Sequence, residues 1–321
     1  MKSGFVTILG RPNTGKSTLL NALVGAKIAI VARKPQTTRT TIQGVLTRPD
    51  AQIVFLDTPG IHKADSLLNK RMMDGVRTAL DERDLLLFLA DVSRAFREED
   101  RQAVDLLKKT NTPALLVLNK TDLLGKGKGA ILPLIERYRA LHEFAAYIPI
   151  SARQGDGLDV LRQEIVERLP EGPAYFPPDH ITDQPERFLA AELIREKILE
   201  ATREEVPHAV AVFVDSWEDT PQLIRIFATI YVERAGQKAI LIGAGGAMLK
   251  RIGTLAREEI ERLFGRRVYL DLHIKVHPDW RSSPDFLAVL DWRTMAGVDE
   301  NQNVSLITHD RVAGRGRLGR H

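Results

Sequence analysis

Gly10-Arg11-Pro12-Asn13-Thr14-Gly15-Lys16-Ser17 decides how the chain is read. An apolar run, Phe5 to Leu9, precedes it, and Thr18-Leu19-Leu20-Asn21-Ala22-Leu23 follows. That order is strand, glycine-rich loop, helix. It is the setting in which backbone N–H groups and a helix N-terminus cradle anionic oxygens. In such a loop the lysine, Lys16, reaches the β- and γ-phosphates of a nucleotide, and the Ser17 hydroxyl holds Mg2+.

Moving outward, a hydroxyl-rich loop, Lys34-Pro35-Gln36-Thr37-Thr38-Arg39-Thr40-Thr41, follows the first helix. A loop there supplies a threonine to Mg2+ and the γ-phosphate. Four threonines compete, and the residues alone do not choose among them. Strand-like runs, Ile42 to Leu46 and Ile53 to Leu56, lead into Asp57-Thr58-Pro59-Gly60. At a strand end Asp57 can hold a water on Mg2+, and the Gly60 N–H can meet a γ-phosphate oxygen. Two further apolar strands are expected, Leu85 to Val92 and Pro113 to Leu118, separated by a helix over Glu98 to Lys109. The second strand ends in Asn119-Lys120-Thr121-Asp122. A carboxylate at Asp122 accepts from N1–H and the 2-amino group of guanine. Adenine lacks both donors and would leave it unpaired. Asn119 can contact the base and tie loops together, and the Lys120 stem packs over the ring. After a helix over Ala130 to Leu141 and an apolar run over Ala145 to Ile150, Ser151-Ala152-Arg153 can offer an N–H to the guanine carbonyl. A last helix spans Gly157 to Leu169. Strands and helices thus alternate to residue 169, with every motif at a strand's C-terminal end. The expected architecture is a doubly wound α/β sheet.

At 321 residues the chain is long enough for two domains. It has no cysteine, which excludes disulfides, thiol nucleophiles and thiolate metal sites. Met1-Lys2-Ser3-Gly4 has no apolar signal core, and no apolar run approaches the ~18 residues of a membrane span. The expected location is therefore cytoplasmic. Net charge is +4, yet Arg234 to Arg281 contain ten Lys/Arg and five Asp/Glu, a local excess of five. That excess points to an anionic partner.

Five prolines between Pro170 and Pro185 mark an interdomain linker. A helix over Glu186 to Leu199 comes next, then strands over Ala209 to Ser216 and Leu223 to Glu233, a helix, the turn Gly243-Ala244-Gly245-Gly246, a helix, and a strand over Val268 to Val276. A Gly-x-x-Gly turn between helices admits a nucleic-acid backbone closely. Beside it Lys250 and Arg251 can pair with phosphates. Past Arg281, Asp285 to Trp292 reads as a strand, or as a hairpin with Val304 to Thr308. Arg311 to Arg320 reads as a flexible basic tail.

These motifs resemble the translation-factor class of P-loop GTPases. Within it, residues 10–17, Gln36-Thr37-Thr38-Arg39 and Asp57-Thr58-Pro59-Gly60-Ile61 look like the Era branch. The second half, from about Glu186 to Arg281, resembles the type II KH domain that ends Era GTPases. The division expected is a GTPase domain over 1–170, a linker over 171–185, a KH domain over 186–281 and an extension over 282–321. The GTP-binding set implied is Gly10 to Thr18, Asp57 to Gly60, Asn119 to Asp122 and Ser151 to Arg153. Lys16, Thr38 and Gly60 act on the transferred phosphoryl group. Ser17, Thr38 (Thr37 second) and, through water, Asp57 hold Mg2+. Gly243 to Gly246 with Lys250 and Arg251 contact RNA. Ile61 stands where many signalling GTPases place a water-orienting Gln. An Asn at position 13 goes with monovalent-cation activation in related GTPases, which implies potassium at Asn13. The resemblance implies a GTP-hydrolysing switch that binds near the 3′ end of 16S ribosomal RNA and assists 30S subunit biogenesis. A monomer and a peripheral contact with the inner face of the membrane are secondary expectations. The alternative is a nucleotide-gated regulator whose C-terminal domain meets a protein or a membrane.

Overall fold

The computed structural model describes residues 1–291 except 33, 35, 62–65, 82, 126–128, 130 and 204–205. Six strands form the first sheet: β1 (Lys2–Gly10), β2 (Ile42–Thr47), β3 (Ala51–Asp57), β4 (Leu85–Asp91), β5 (Ala114–Asn119) and β6 (Ala146–Pro149). Their order is β2-β3-β1-β4-β5-β6. All neighbours run parallel except β2 and β3, which form an antiparallel hairpin. Strict βαβ alternation would have made the sheet wholly parallel. The short connection Arg48–Asp50 has no room for a crossover and turns β2 back.

The continuous apolar runs are explained by burial on both faces. In β4, Leu85, Leu87 and Leu89 face the core that holds α1 (Lys16–Val24) and α5 (Leu158–Arg168). Leu86, Phe88 and Ala90 face the opposite core, which holds α2 (Leu67–Thr78), α3 (Glu98–Val104) and α4 (Ile131–Arg139). A period of two with both phases apolar is what a two-sided parallel strand requires. The loops after β1, β3 and β5 therefore leave the sheet along one edge. The helix expected over Glu98 to Lys109 is shorter. α3 ends at Val104, and a separate 3₁₀ turn covers Leu107–Lys109.

The proline-rich segment does not hang free. Gln52, fully buried, accepts through Oε1 from Tyr175 N (2.7 Å) and Phe176 N (2.9 Å) and donates through Nε2 to Phe176 O (2.9 Å). Val45 N donates to Ile181 O at 2.7 Å, and Thr182 Oγ1 to Gln43 O at 2.6 Å. The segment is thus a strap along the β2–β3 edge. Prolines lack the N–H a strand would need, and side-chain and edge groups of the sheet supply the pairing instead.

Beyond the strap, α6 (Glu186–Ala201), α7 (Ala235–Ile242) and α8 (Ala247–Phe264) cover one face of a sheet β7-β8-β9, comprising Ala211–Asp219, Ile224–Val232 and Val268–Val276. β7 and β8 are antiparallel; β8 and β9 are parallel. The strand expected from Asp285 is instead a helix, α9 (Pro284–Val289). Ser283 caps it by accepting from Phe286 N, and Pro284 occupies its first turn, a helix-start signature hidden in an apolar run. Trp292, Val304 to Thr308 and the tail from Arg311 lie outside the described residues, as do Pro35 and Ala130. Among the described residues no single helix is long and apolar enough to cross a membrane.

Candidate nucleotide-binding site

The loop after β1 wraps a small open cleft whose walls include Asn13, Lys16, Ser17, Thr37, Thr38 and Gly60. Gly15 takes φ 97°, and a Cβ there would sit 2.4 Å from Asn119 Nδ2, so only glycine fits between the two loops. Gly60 lies against the loop in the same way: a Cβ would stand 2.8 Å from Pro12 Cα. Lys16 is buried, and its Nζ donates to the carbonyls of Gly10 (3.2 Å) and Arg11 (3.0 Å). Burial pushes its pKa down to about 8, against the pull of the Asp57 charge. The Arg11 guanidinium turns to Asp100 of α3 (2.8 Å), which also accepts from Tyr138 (3.1 Å). Arg11 thus brings its backbone to the loop.

Three oxygens converge beside Lys16. Ser17 Oγ donates to Asp57 Oδ2 at 2.6 Å and lies 2.7 Å from Thr38 Oγ1. Thr38 Oγ1 is 3.4 Å from the same carboxylate oxygen. Among the four loop threonines the structure brings Thr38 to this cluster. Thr37 Oγ1 instead donates to Lys34 O (2.7 Å). Burial raises the Asp57 pKa to about 6, offset in part by Lys16 and by hydrogen bonds from Ser17 and Thr38. Its other oxygen, Oδ1, is sealed from solvent with no hydrogen-bond partner among the described residues. A hydroxyl pair and a half-satisfied carboxylate are hard oxygen donors, and their chemistry fits Mg2+. Ile61 packs toward the core on the α2 side while its N–H donates to Gly10 O at 3.3 Å.

At the far end, Asn119 Nδ2 donates to Thr14 O (2.8 Å), and its Oδ1 accepts from Lys120 N (2.8 Å) and Ala152 N (3.0 Å). The Ala152 N–H is therefore engaged by Asn119. Lys120 adopts φ 73° and its Nζ bridges Asn13 O (2.6 Å) and Asp91 Oδ2 (2.7 Å). Asp122 Oδ1 accepts from Ser151 Oγ at 2.7 Å. Thr121 N donates to Ile150 O at 3.2 Å, and Arg153 is exposed. The four expected segments are thus joined in series by hydrogen bonds, from the Asp57 turn through the phosphate loop and Asn119 to Ser151 and Ala152. Sequence reading missed Asp91 and Asp100. A lone Asp at the end of β4 or inside an acidic helix start gives no signal of the loop it will meet.

In the second domain, Gly243, Gly245 and Gly246 take φ 69°, 57° and 80°. A Cβ on Gly243 would stand 2.7 Å from that of Met248. Ala244, Gly245, Lys250 and Arg251 are exposed, and a Cβ on Gly245 or Gly246 would meet nothing within 4 Å. The turn is open to a ligand backbone.

Residues 5–120 match the family described as "50S ribosome-binding GTPase", and residues 205–281 match the KH domain family. The chain is 48% identical over 294 residues to the GTPase Era of Ruminiclostridium cellulolyticum, covering 91% of this chain and 98% of the relative. It is 50% identical over 293 residues to that of Geobacter metallireducens, with the same coverage. This chain belongs to the Era family of GTPases. Two solved Era structures align along 91% of the chain and 99% of their own length. One is a single-substitution variant of Aquifex aeolicus Era bound to GDP·AlF4⁻ (42% identity, TM-score 0.87). The other is Era in complex with MgGDPNP and nucleotides 1506–1542 of 16S ribosomal RNA (43% identity, TM-score 0.88). The GTPase match falls on the six-stranded sheet and the KH match on the β7-β8-β9 half.

Proposed function

We propose that this Era-family chain hydrolyses GTP and uses the cycle to grip and release RNA near the 3′ end of small-subunit ribosomal RNA, assisting 30S subunit biogenesis. The observation that carries the proposal is that one chain holds both the joined set of nucleotide loops and the open Gly243–Gly246 turn. Its alignment to an Era solved with MgGDPNP and 16S ribosomal RNA runs through both. The family description over residues 5–120 names the large subunit, but it spans the GTPase half alone. The small-subunit assignment rests on the full-length alignment.

In this reading the backbone of residues 10–18 holds the phosphates and Lys16 neutralises charge between the β- and γ-groups. Ser17 and Thr38 would hold Mg2+, with Asp57 acting through one of its waters. When bound, Mg2+ would supply charge neutralisation to the phosphates. The Gly60 N–H meets the γ-phosphate, and Asp122 and Asn119 select guanine, with Ser151 to Arg153 closing the base pocket. Ile61 carries no group able to orient water, so positioning falls to the backbone and to a cation. We assign potassium to Asn13 for that reason. Equal hydrolysis in potassium and sodium buffers would remove it. We also assign a monomeric, cytoplasmic state with a peripheral membrane contact, to be checked by sedimentation and vesicle flotation.

The deciding experiment is filter binding of a 16S 3′-end fragment to protein loaded with a GTP analogue or with GDP. Tighter binding with the analogue is expected, together with a steep loss at higher salt. Gly245→Asp/Gly246→Asp should abolish RNA binding while GTP binding persists, because the turn opens to solvent and none of its residues lines the cleft.

A further inference from the structure

The loop that carries Thr38 is held from both sides by the second domain. Ile30, buried, belongs to the apolar core formed by α6, α8 and the second sheet. Val31 N donates to Glu196 Oε1 at 2.6 Å. The Thr37 carbonyl accepts from Arg195 Nη2. Arg39 Nη1 donates to Val210 O at 2.7 Å, and its guanidinium sits 5.5 Å over the Trp280 ring. Arg195 and Glu196 are consecutive on α6 and only 2% and 1% exposed. One turn of α6 therefore holds both Val31 and Thr37, on either side of the loop between them.

Arg195 is built for a fixed geometry. Its Nε and Nη2 are held by the Glu192 carboxylate at 2.7 and 2.6 Å, one turn back on the same helix. A guanidinium fixed by such a fork has a defined direction for its remaining donation. The carbonyl it reaches belongs to the peptide unit that joins Thr37 to Thr38. Fixing that plane places the N–Cα bond of Thr38, and Arg39, anchored on Val210 O, limits rotation about it from the other side; together they bound where a hydroxyl 2.7 Å from Ser17 Oγ can stand. α6 in turn packs on α8, where Glu259 accepts from Lys197 at 2.7 Å and from Lys27 of the GTPase half at 2.5 Å. α8 begins at Ala247, directly after the Gly243–Gly246 turn.

We infer that Arg195 is a positioning residue for Mg2+-dependent hydrolysis: through the Thr37 carbonyl it sets where the Thr38 hydroxyl stands, and it makes docking of the KH domain a condition of the metal-ready loop. The inference rests on the GTPase–RNA reading above and names the contact through which the two halves communicate. Linkage makes the effect reciprocal: a nucleotide that needs Thr38 at the metal favours the α6 position seen here. GDP, which has no γ-phosphate for the loop to cover, makes no such demand.

The test uses the full chain with Arg195→Met, which keeps side-chain volume and loses the donor, and Arg195→Lys, which keeps a donor. A thermal melt checks folding. Single-turnover GTP hydrolysis is titrated with Mg2+, GDP affinity is measured alongside, and binding of a 16S 3′-end fragment is compared between GTP-analogue and GDP forms. For Arg195→Met the half-saturating Mg2+ concentration should rise on the order of tenfold and the hydrolysis rate should fall, with GDP affinity within about twofold of wild type. The analogue-over-GDP ratio of RNA affinity should move toward one. Arg195→Lys should recover part of both, and if Arg195→Met does not fold, a shift of about threefold in Arg195→Lys is the required result. Wild-type Mg2+ dependence in a folded variant overturns the inference, and so does a loss of GDP affinity equal to the loss in hydrolysis. The wild-type RNA ratio tests the functional reading separately: a ratio of one there, with the Mg2+ shift intact, removes the RNA coupling and leaves Arg195 as a positioning residue.

Discussion

At the residue scale the site works through a few groups whose surroundings change their chemistry. Asp122 presents acceptors only, which suits the two donors on the edge of guanine. Asn at this position offers one acceptor and one donor and matches N1–H and the 2-oxo group of xanthine. Asp122→Asn should therefore lose GTP affinity on the order of 10³-fold and gain XTP affinity; competition with labelled nucleotide reads both. Lys16, driven down to about 8 by burial, must be protonated to meet phosphate. GTP affinity should fall about tenfold between about pH 7, where Asp57 is ionised, and about pH 9, as the ammonium deprotonates in the free protein. A profile level over that window, which stops short of the ionisation of guanine N1, would show that Lys16 stays charged without nucleotide.

At the scale of elements, what positions the loops is mostly hydrogen bonding between segments far apart in sequence. Asn119 closes on Thr14, Lys120 on Asn13 and Asp91, and Arg11 on Asp100. The strap shows the same economy, since a single buried glutamine serves three of its backbone groups. Gln52→Ala would strand two N–H groups and one carbonyl at once. It should cost about 2–4 kcal/mol and raise protease sensitivity around residues 172–182, while GTP affinity changes little. Limited proteolysis beside a denaturant melt checks this; an unchanged cleavage pattern would mean the strap is held by its other contacts.

On the scale of the whole molecule the two halves meet through charge as well as apolar surface. Lys27, Glu196, Lys197 and Glu259 join α6 and α8 to the turn that follows α1. Burial alone would raise the Glu259 carboxyl, but hydrogen bonds from Lys197 and Lys27 outweigh it and hold the group below its usual range. A carboxyl depressed on folding contributes stability above its unfolded pKa of ~4.3, and loses it as pH falls through the folded value. Glu259→Gln should therefore lower stability by about 1–3 kcal/mol at pH 7, and the gap from wild type should close below pH ~4. Melting curves at about pH 7, 5, 4 and 3 decide: a gap that narrows as pH falls below the unfolded pKa marks charge, and one that does not narrow at all would assign the loss to packing.

Local order was enough to specify the nucleotide half. The phosphate loop, the Asp57 turn and the guanine loop are each contiguous, and each sits at a strand end, so spacing alone places them on one edge of a parallel sheet. The Gly-x-x-Gly turn is legible for the same reason. The antiparallel turn of β2 and the helix at Pro284 carry local signals, a three-residue connection and the Ser283-Pro284 pair, which the apolar runs around them masked. The geometry that sets Thr38, which only the resemblance had singled out, apart from its three neighbours and the service of Asp91, Asp100 and Gln52 required the folded chain. So did the grip of Arg195 and Glu196 on the loop before Thr38. Those depend largely on contacts between residues roughly 20 to 170 positions apart, where the partner and its distance are set by packing of whole elements and leave no local pattern behind.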